Sequence, residues 1–272
     1  MTKKNSPQTF WDHLDELRGT LIKISLVTVI CAIVAFICKD IVFEIVFAPK
    51  KDSFVTYRLL QSIGGIFSSN TMGDFAVPVI NTGLAQQFMI HMKTAFCVGI
   101  VCASPYIIYQ LFLFISPALY DHERKYAWKL VGSGYMMFII GLLSGYFLIF
   151  PLTFRFLGTY QVAPDIVNMI SLDSYMSTLI LLCMAMGVVF ELPVICWLFA
   201  KTGILNSGIM KKFRKHSIVT ILILAAIITP TSDVFTLVAV SLPIWLLYEG
   251  SILLVRTVEE KSIRTYPEMS LQ

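Results

Sequence analysis

The sequence predicts an all-α integral membrane protein with six transmembrane helices, both termini cytoplasmic, and short fifth and sixth spans. Three observations predict it. Of the 272 residues, 57% are hydrophobic and only 14% charged, with a mean hydropathy of +0.77, the composition of a membrane protein rather than a soluble domain. Long apolar runs alternate with polar interruptions, at lengths suited to a hydrocarbon layer of about 30 Å. The basic residues are unevenly placed. Lys3, Lys4, Arg18, Lys23, Arg124, Lys125, Lys129, Lys201, Lys211, Lys212, Arg214, Lys215, Arg256, Lys261 and Arg264 fall on one side. Lys39, Lys50, Lys51, Arg58 and Arg155 fall on the other, and Lys93 lies in a helix. The larger set marks the cytoplasm by the positive-inside rule. Residues 1–272 therefore read as one membrane domain with spans near 21–38, 88–114, 128–150, 175–200, 216–229 and 234–255.

In chain order, Thr9 and Asp12 form a capping-box start, and Phe10, Leu14, Leu17 and Leu21 share one helix face opposite Asp12, Asp15 and Glu16. This is the pattern of an interfacial helix leading into a span. No short apolar run with a small-residue cleavage site precedes Leu21, so the N-terminus is expected to be retained. Lys39–Gly83 is too polar to span, is interrupted by Pro49 and Pro78, and reads as an external loop. Its apolar stretch Ile41–Phe47 is either a short helix on the bundle or a buried piece of loop.

The second span begins wet at Gln86, Gln87, His91 and Lys93, and Pro105 is expected to kink it. Ala95, Gly99 and Ala103 make a small-residue stripe, and Gly141 and Gly145 repeat the device in the third span. Such stripes admit close helix approach, within the bundle or across a dimer face. Between these spans lies a polar island, Phe114–Lys125. Pro117 stops the incoming helix there, Asp121 can cap the next, and Glu123 sits in its first turn. A plain cytoplasmic loop has the same composition.

Pro151–Asp173 reads as a second external loop. The fourth span carries Glu191 and then Pro193, which removes a backbone donor and loosens the helix. An ionised carboxylate at the bilayer centre costs roughly 2.5 kcal/mol or more, so Glu191 is expected to face a water-filled concavity. The fifth apolar run, His216–Thr229, is about 21 Å long at 1.5 Å per residue, short of the hydrocarbon thickness. It either fails to cross or thins the bilayer. Crossing is favoured, because the last span then returns the tail to the side its charges prefer.

Four ordered segments carry a family resemblance: His13–Arg18; Tyr109-Gln110 with Phe114–Arg124; Phe190-Glu191-Leu192-Pro193-Val194; and Thr229-Pro230 with Asp233-Val234-Phe235, then Pro243 and Leu247-Tyr248-Glu249. Together they resemble the TatC family, the multispanning subunit of the twin-arginine protein translocase. The resemblance implies a subunit that recognises twin-arginine signal peptides of folded export substrates in the bacterial cytoplasmic (inner) membrane. It further implies recruitment of TatA/TatB-type single-span subunits, self-association in a larger complex, and energy from the proton-motive force. Residues matching the family's recognition surface are Glu16, Arg18, Phe114 and Glu123; Glu191 and Gln110 match an intramembrane polar or partner site. Pro49, Pro117, Pro193, Pro230 and Asp233 are the structural positions. A carboxylate accepts two parallel hydrogen bonds from a guanidinium, so Glu16 and Glu123 suit consecutive arginines. Two departures stand out: the turn Thr229-Pro230-Thr231-Ser232-Asp233 is one residue longer than the family's, and Thr236-Leu237 replaces a polar Ser-Gln pair.

The alternative is an ion-coupled small-solute secondary transporter using Glu191, although the two matched halves of such carriers are not visible. An enzyme is not expected: no nucleophile-base pair, metal signature or phosphate-binding glycine loop is present. Cys31, Cys38, Cys97, Cys102, Cys183 and Cys196 lie in apolar runs and read as buried thiols. No cofactor, metal or nucleic-acid partner is expected.

Overall fold

A computed structural model describes residues 10–51, 53–64, 78–115, 127–163, 165, 168–229 and 233–265. Thr9, Pro117, Asp121, Glu123 and Pro230 lie outside the described residues, as does the side chain of Asp12. The described elements are helices apart from one pair of two-residue strands. It divides into two units, residues 1–39 with 91–135, and residues 40–90 with 136–272.

The first unit is built on α1 (Phe10–Ile37) and most of α4 (Gln86–Ile115). The expected interfacial lead and first span form one uninterrupted helix. The small-residue stripe is used within this unit. A Cβ added to Gly99 would lie 2.8 Å from the backbone of Ala32, so the two helices touch main chain to main chain there. Near the other end of the contact, His91 stacks on Phe36 at 3.9 Å. These contacts make the pair antiparallel. Burial falls on Thr20, Thr28 and Ala35 of α1 and on Ala95 and Ala103 of α4, while Leu26, Val29, Ile30, Ile33 and Val34 are exposed, as a lipid-facing surface requires. Pro105 lies inside α4 and cannot donate to the Val101 carbonyl one turn back. The Ser104 hydroxyl donates to that carbonyl at 2.7 Å, and the helix continues.

The second unit holds the larger core. α5 (Ala127–Ser144) passes through a π-helical turn, Gly145–Ile149, into α6 (Phe150–Thr159). Helix therefore runs nine residues past residue 150, through the first part of the stretch from Pro151 that the sequence reads as a loop. Pro151 leaves the Phe147 carbonyl without its usual donor, and the Thr56 hydroxyl donates to it instead. α7 (Leu172–Val189) packs on this segment through glycine. A Cβ on Gly141 would meet the Met186 carbonyl at 2.5 Å, and one on Gly145 would meet Cys183 Cα at 2.8 Å. Around this seam Ile149, Phe150, Phe154, Tyr175, Met176, Leu182 and Met186 are buried.

The 39–83 segment contains α2 (Lys39–Phe47), a 3-10 turn at Ala48–Lys50 and α3 (Val55–Gly64). The apolar stretch after residue 40 is thus the short helix, with Val46 in the core. Three tyrosines fasten it. Tyr146 Oη donates to the Ile45 carbonyl (2.5 Å), Tyr175 Oη to Val46 (3.0 Å), and Tyr57 Oη to Pro49 (3.1 Å) and Pro151 (3.3 Å). The carbonyls at Ile45 and Val46 belong to the last turn of α2, where intrahelical donors run out. Pro49 is buried. The strand pair joins Val79 to Ile170 and Ile80 to Ser171 in parallel.

α8 (Leu192–Lys201), α9 (Ser207–Lys212), α10 (Arg214–Ile228) and α11 (Val234–Thr265) complete the unit. Asp233 accepts from the Thr236 amide at 2.6 Å and caps α11. That helix continues ten residues past the expected end at Val255. Among the described residues, five helical stretches are long and apolar enough to cross a membrane: Leu14–Ile37, Gln86–Phe114, Leu130–Thr159, Leu172–Lys201 and Val234–Glu260. α10, with 15 residues, falls short of that length.

Candidate recognition surface and intramembrane polar site

In the first unit, the Ala32–Gly99 contact fixes which ends of the helices meet. Sixteen residues back along α1 is Glu16, and sixteen on along α4 is Ile115, about 24 Å along each axis. Glu16, Arg18 and Phe114 therefore arrive at the same end of the antiparallel pair. Glu16 and Arg18 are exposed and Phe114 is half-buried. Gln110, one turn before Phe114, is buried and donates from Nε2 to Tyr106 Oη at 2.8 Å. The last recognition candidate, Glu123, lies outside the described residues.

Glu191 belongs to the second unit. The fourth apolar stretch is not one helix: α7 and α8 are separated by a turn at Phe190-Glu191. Pro193 sits in the first turn of α8, where a missing N–H costs nothing. The Glu191 carbonyl accepts from Val194 and Ile195, both at 3.0 Å. Its side chain is half-buried. Oε1 is enclosed and, among the described residues, has no hydrogen-bond partner. On either side of Glu191, Phe190 and Pro193 help line an open hollow of about 450 Å³ with Met137, Pro243, Leu246, Leu247, Gly250 and Leu254. Its wall is apolar.

Sequence reasoning gave no role to a third cluster, on the loop after α8. Gly203, at φ 76°, turns the chain out of α8. Glu259 on α11 then accepts from the Ser207 amide at 2.8 Å and the Ser207 hydroxyl at 2.5 Å. Tyr248 Oη donates to the Met210 carbonyl at 2.9 Å, and Arg214 pairs with Glu249 at 2.7 Å. The partners are 35 to 52 residues apart, a separation at which no local pattern announces them.

A family model described as Sec-independent protein translocase protein (TatC) matches residues 12–243. The chain belongs to the TatC family. TatC of Blattabacterium sp. subsp. Periplaneta americana is 34% identical over 266 residues, covering 96% of this chain and 100% of that protein. TatC of Aquifex aeolicus is 32% identical, covering 92% and 95%. A crystal structure of the twin-arginine translocase receptor TatC superposes with a TM-score of 0.73 at 33% identity, over 91% of this chain and 99% of that one. The same receptor in DDM gives 0.74. TatC proteins are multi-pass membrane subunits of a protein translocase, not enzymes, and this chain is one of them.

Proposed function

We propose that this TatC-family chain is the receptor and core subunit of a twin-arginine translocase, reading signal peptides through Glu16, Arg18, Phe114 and Glu123. It works in the bacterial cytoplasmic membrane with six spans and both termini cytoplasmic, α10 being the short fifth span. Folded substrates cross with TatA/TatB-type single-span subunits, driven by the proton-motive force, in an assembly holding further copies of the chain. The observation that carries this reading is the convergence of Glu16, Arg18 and Phe114 at one end of the α1–α4 pair. There, the exposed carboxylate of Glu16 can take a guanidinium group in a bidentate pair. Glu191, at a helix break beside an apolar hollow, suits the polar part of an otherwise apolar partner helix, with Gln110 as a second intramembrane polar group.

The test is export of a folded reporter bearing a twin-arginine signal in a deletion strain, with a twin-lysine signal as control. Glu16→Ala and Glu123→Ala should each weaken crosslinking of the signal by roughly 1.5 to 3 kcal/mol, the worth of a charge-assisted bond. Glu191→Gln should keep most export and Glu191→Leu should lose it. Undiminished crosslinking in both alanine variants would reject the assignment. The enclosed Oε1 of Glu191, without a partner among the described residues, is also what an ion-coupled carrier would need. Failure of Glu191→Gln as well as Leu, together with solute flux in vesicles holding this chain alone, would favour that reading.

A further inference from the structure

We infer that the loop joining α8 to α10 is a binding site for anionic phospholipid headgroups, formed by Lys211, Lys212 and Lys215. The inference rests on the proposal that α10 crosses the membrane. The loop is held so that one side is committed and the other is open. Ser207 and Met210 are buried against α11, fastened by Glu259 and Tyr248. Ile209, Lys211, Lys212 and Phe213, and Lys215 in the first turn of α10, are exposed. Carboxylates reach this loop at two points among the described residues, and both are engaged: Glu259 by Ser207 and Glu249 by Arg214. Among those residues, Lys211, Lys212 and Lys215 are left without an acidic partner.

α10 itself indicates what meets them. It buries Ile221, Ala225 and Ile228 and exposes Ile218, Val219, Leu222, Ile223 and Ile227. Lys215, Ile218, Val219 and Leu222 are spaced at helical intervals, so a cation heads an outward apolar stripe. Acyl chains covering that stripe place their phosphates at the level of the lysines, with Ile209 and Phe213 at the boundary as apolar anchors. The 15 residues of α10 cover only about 22 Å, so the leaflet must be drawn toward the loop. Cations without acidic partners at a thinned site favour headgroups with net negative charge over zwitterionic ones.

The experiment uses the full chain carrying Val219→Trp, in nanodiscs containing brominated phosphatidylglycerol or brominated phosphatidylcholine, with the quenching of the parent chain subtracted. The added tryptophan should be quenched by both lipids. The deduced relative binding should favour phosphatidylglycerol by about fivefold, roughly one lysine's surface attraction. That preference should vanish in Lys211→Gln/Lys212→Gln/Lys215→Gln and fall in Lys215→Gln alone. Equal quenching by the two lipids in the parent background, as expected if the lysines serve an acidic protein segment instead, overturns the site. So does a preference that survives the triple change. No quenching by either lipid shows instead that α10 is outside the acyl region, and the span reading fails with it.

Discussion

The two units use the same seam and finish it differently. In each, a glycine brings one helix onto the backbone of another: Gly99 onto Ala32 in the first, Gly141 and Gly145 onto α7 in the second. The second seam continues into a core of Phe150, Phe154 and Tyr175, where Tyr175 meets each phenylalanine edge to face at 5.1 Å; the hydroxyls of Tyr146 and Tyr175 fasten α2 over it, and that of Tyr57 holds the turn at Pro49. The first seam buries threonine and alanine and leaves the large aliphatic residues of α1 outside. Side-chain hydrogen bonding and aromatic packing are concentrated where the chain braces itself. Glu16 and Arg18, at one end of the α1–α4 pair, stay exposed.

The comparison can be broken by filling each seam. Gly141→Val should have the largest effect, about 3 kcal/mol or more, because its first contact is a backbone carbonyl that cannot move aside. Thermal unfolding in detergent, followed by far-UV circular dichroism, measures it. Gly99→Val should separate α1 from α4 while leaving the second unit's melting unchanged. If it melted the whole chain as Gly141→Val does, the contrast between the seams would be false. Tyr175→Phe comes next. It leaves the Val46 carbonyl buried without its donor, a loss of about 1 to 3 kcal/mol, with faster protease cleavage in the 39–83 segment as a second readout. Gly132→Val should be the smallest, within about 0.5 kcal/mol, since nothing lies within 4 Å of the added carbon.

Hydropathy alone located the long apolar helices, and glycine spacing located both seams, because only a residue without a side chain serves where main chains touch. Glu16, Arg18 and Phe114 were singled out through family resemblance rather than through any local physical signal, and they lie at one end of the α1–α4 pair. Other features were hidden for identifiable reasons. Pro151 signals a helix end locally, and only Thr56, distant in sequence, supplies the donor that lets the helix continue. Arg256, Glu259 and Glu260 mark the end of an apolar run, which is not the end of a helix: α11 keeps its hydrogen bonds after leaving apolar surroundings. Glu259 in particular had no sequence signal, since its partner Ser207 is 52 residues earlier.

The π-helical turn at Gly145–Ile149 sets the angular phase of α6. A regular helix advances about 100° per residue, so one extra residue in a turn rotates every later side chain by that amount about the axis. With the turn in place, Phe150 and Phe154 point into the core and the Pro151 carbonyl faces Tyr57. Removing one residue between Gly145 and Ile149 would leave the membrane-crossing length almost unchanged while swinging those groups away from their partners. The spacing of residues in that short stretch is therefore constrained more tightly than their hydrophobicity.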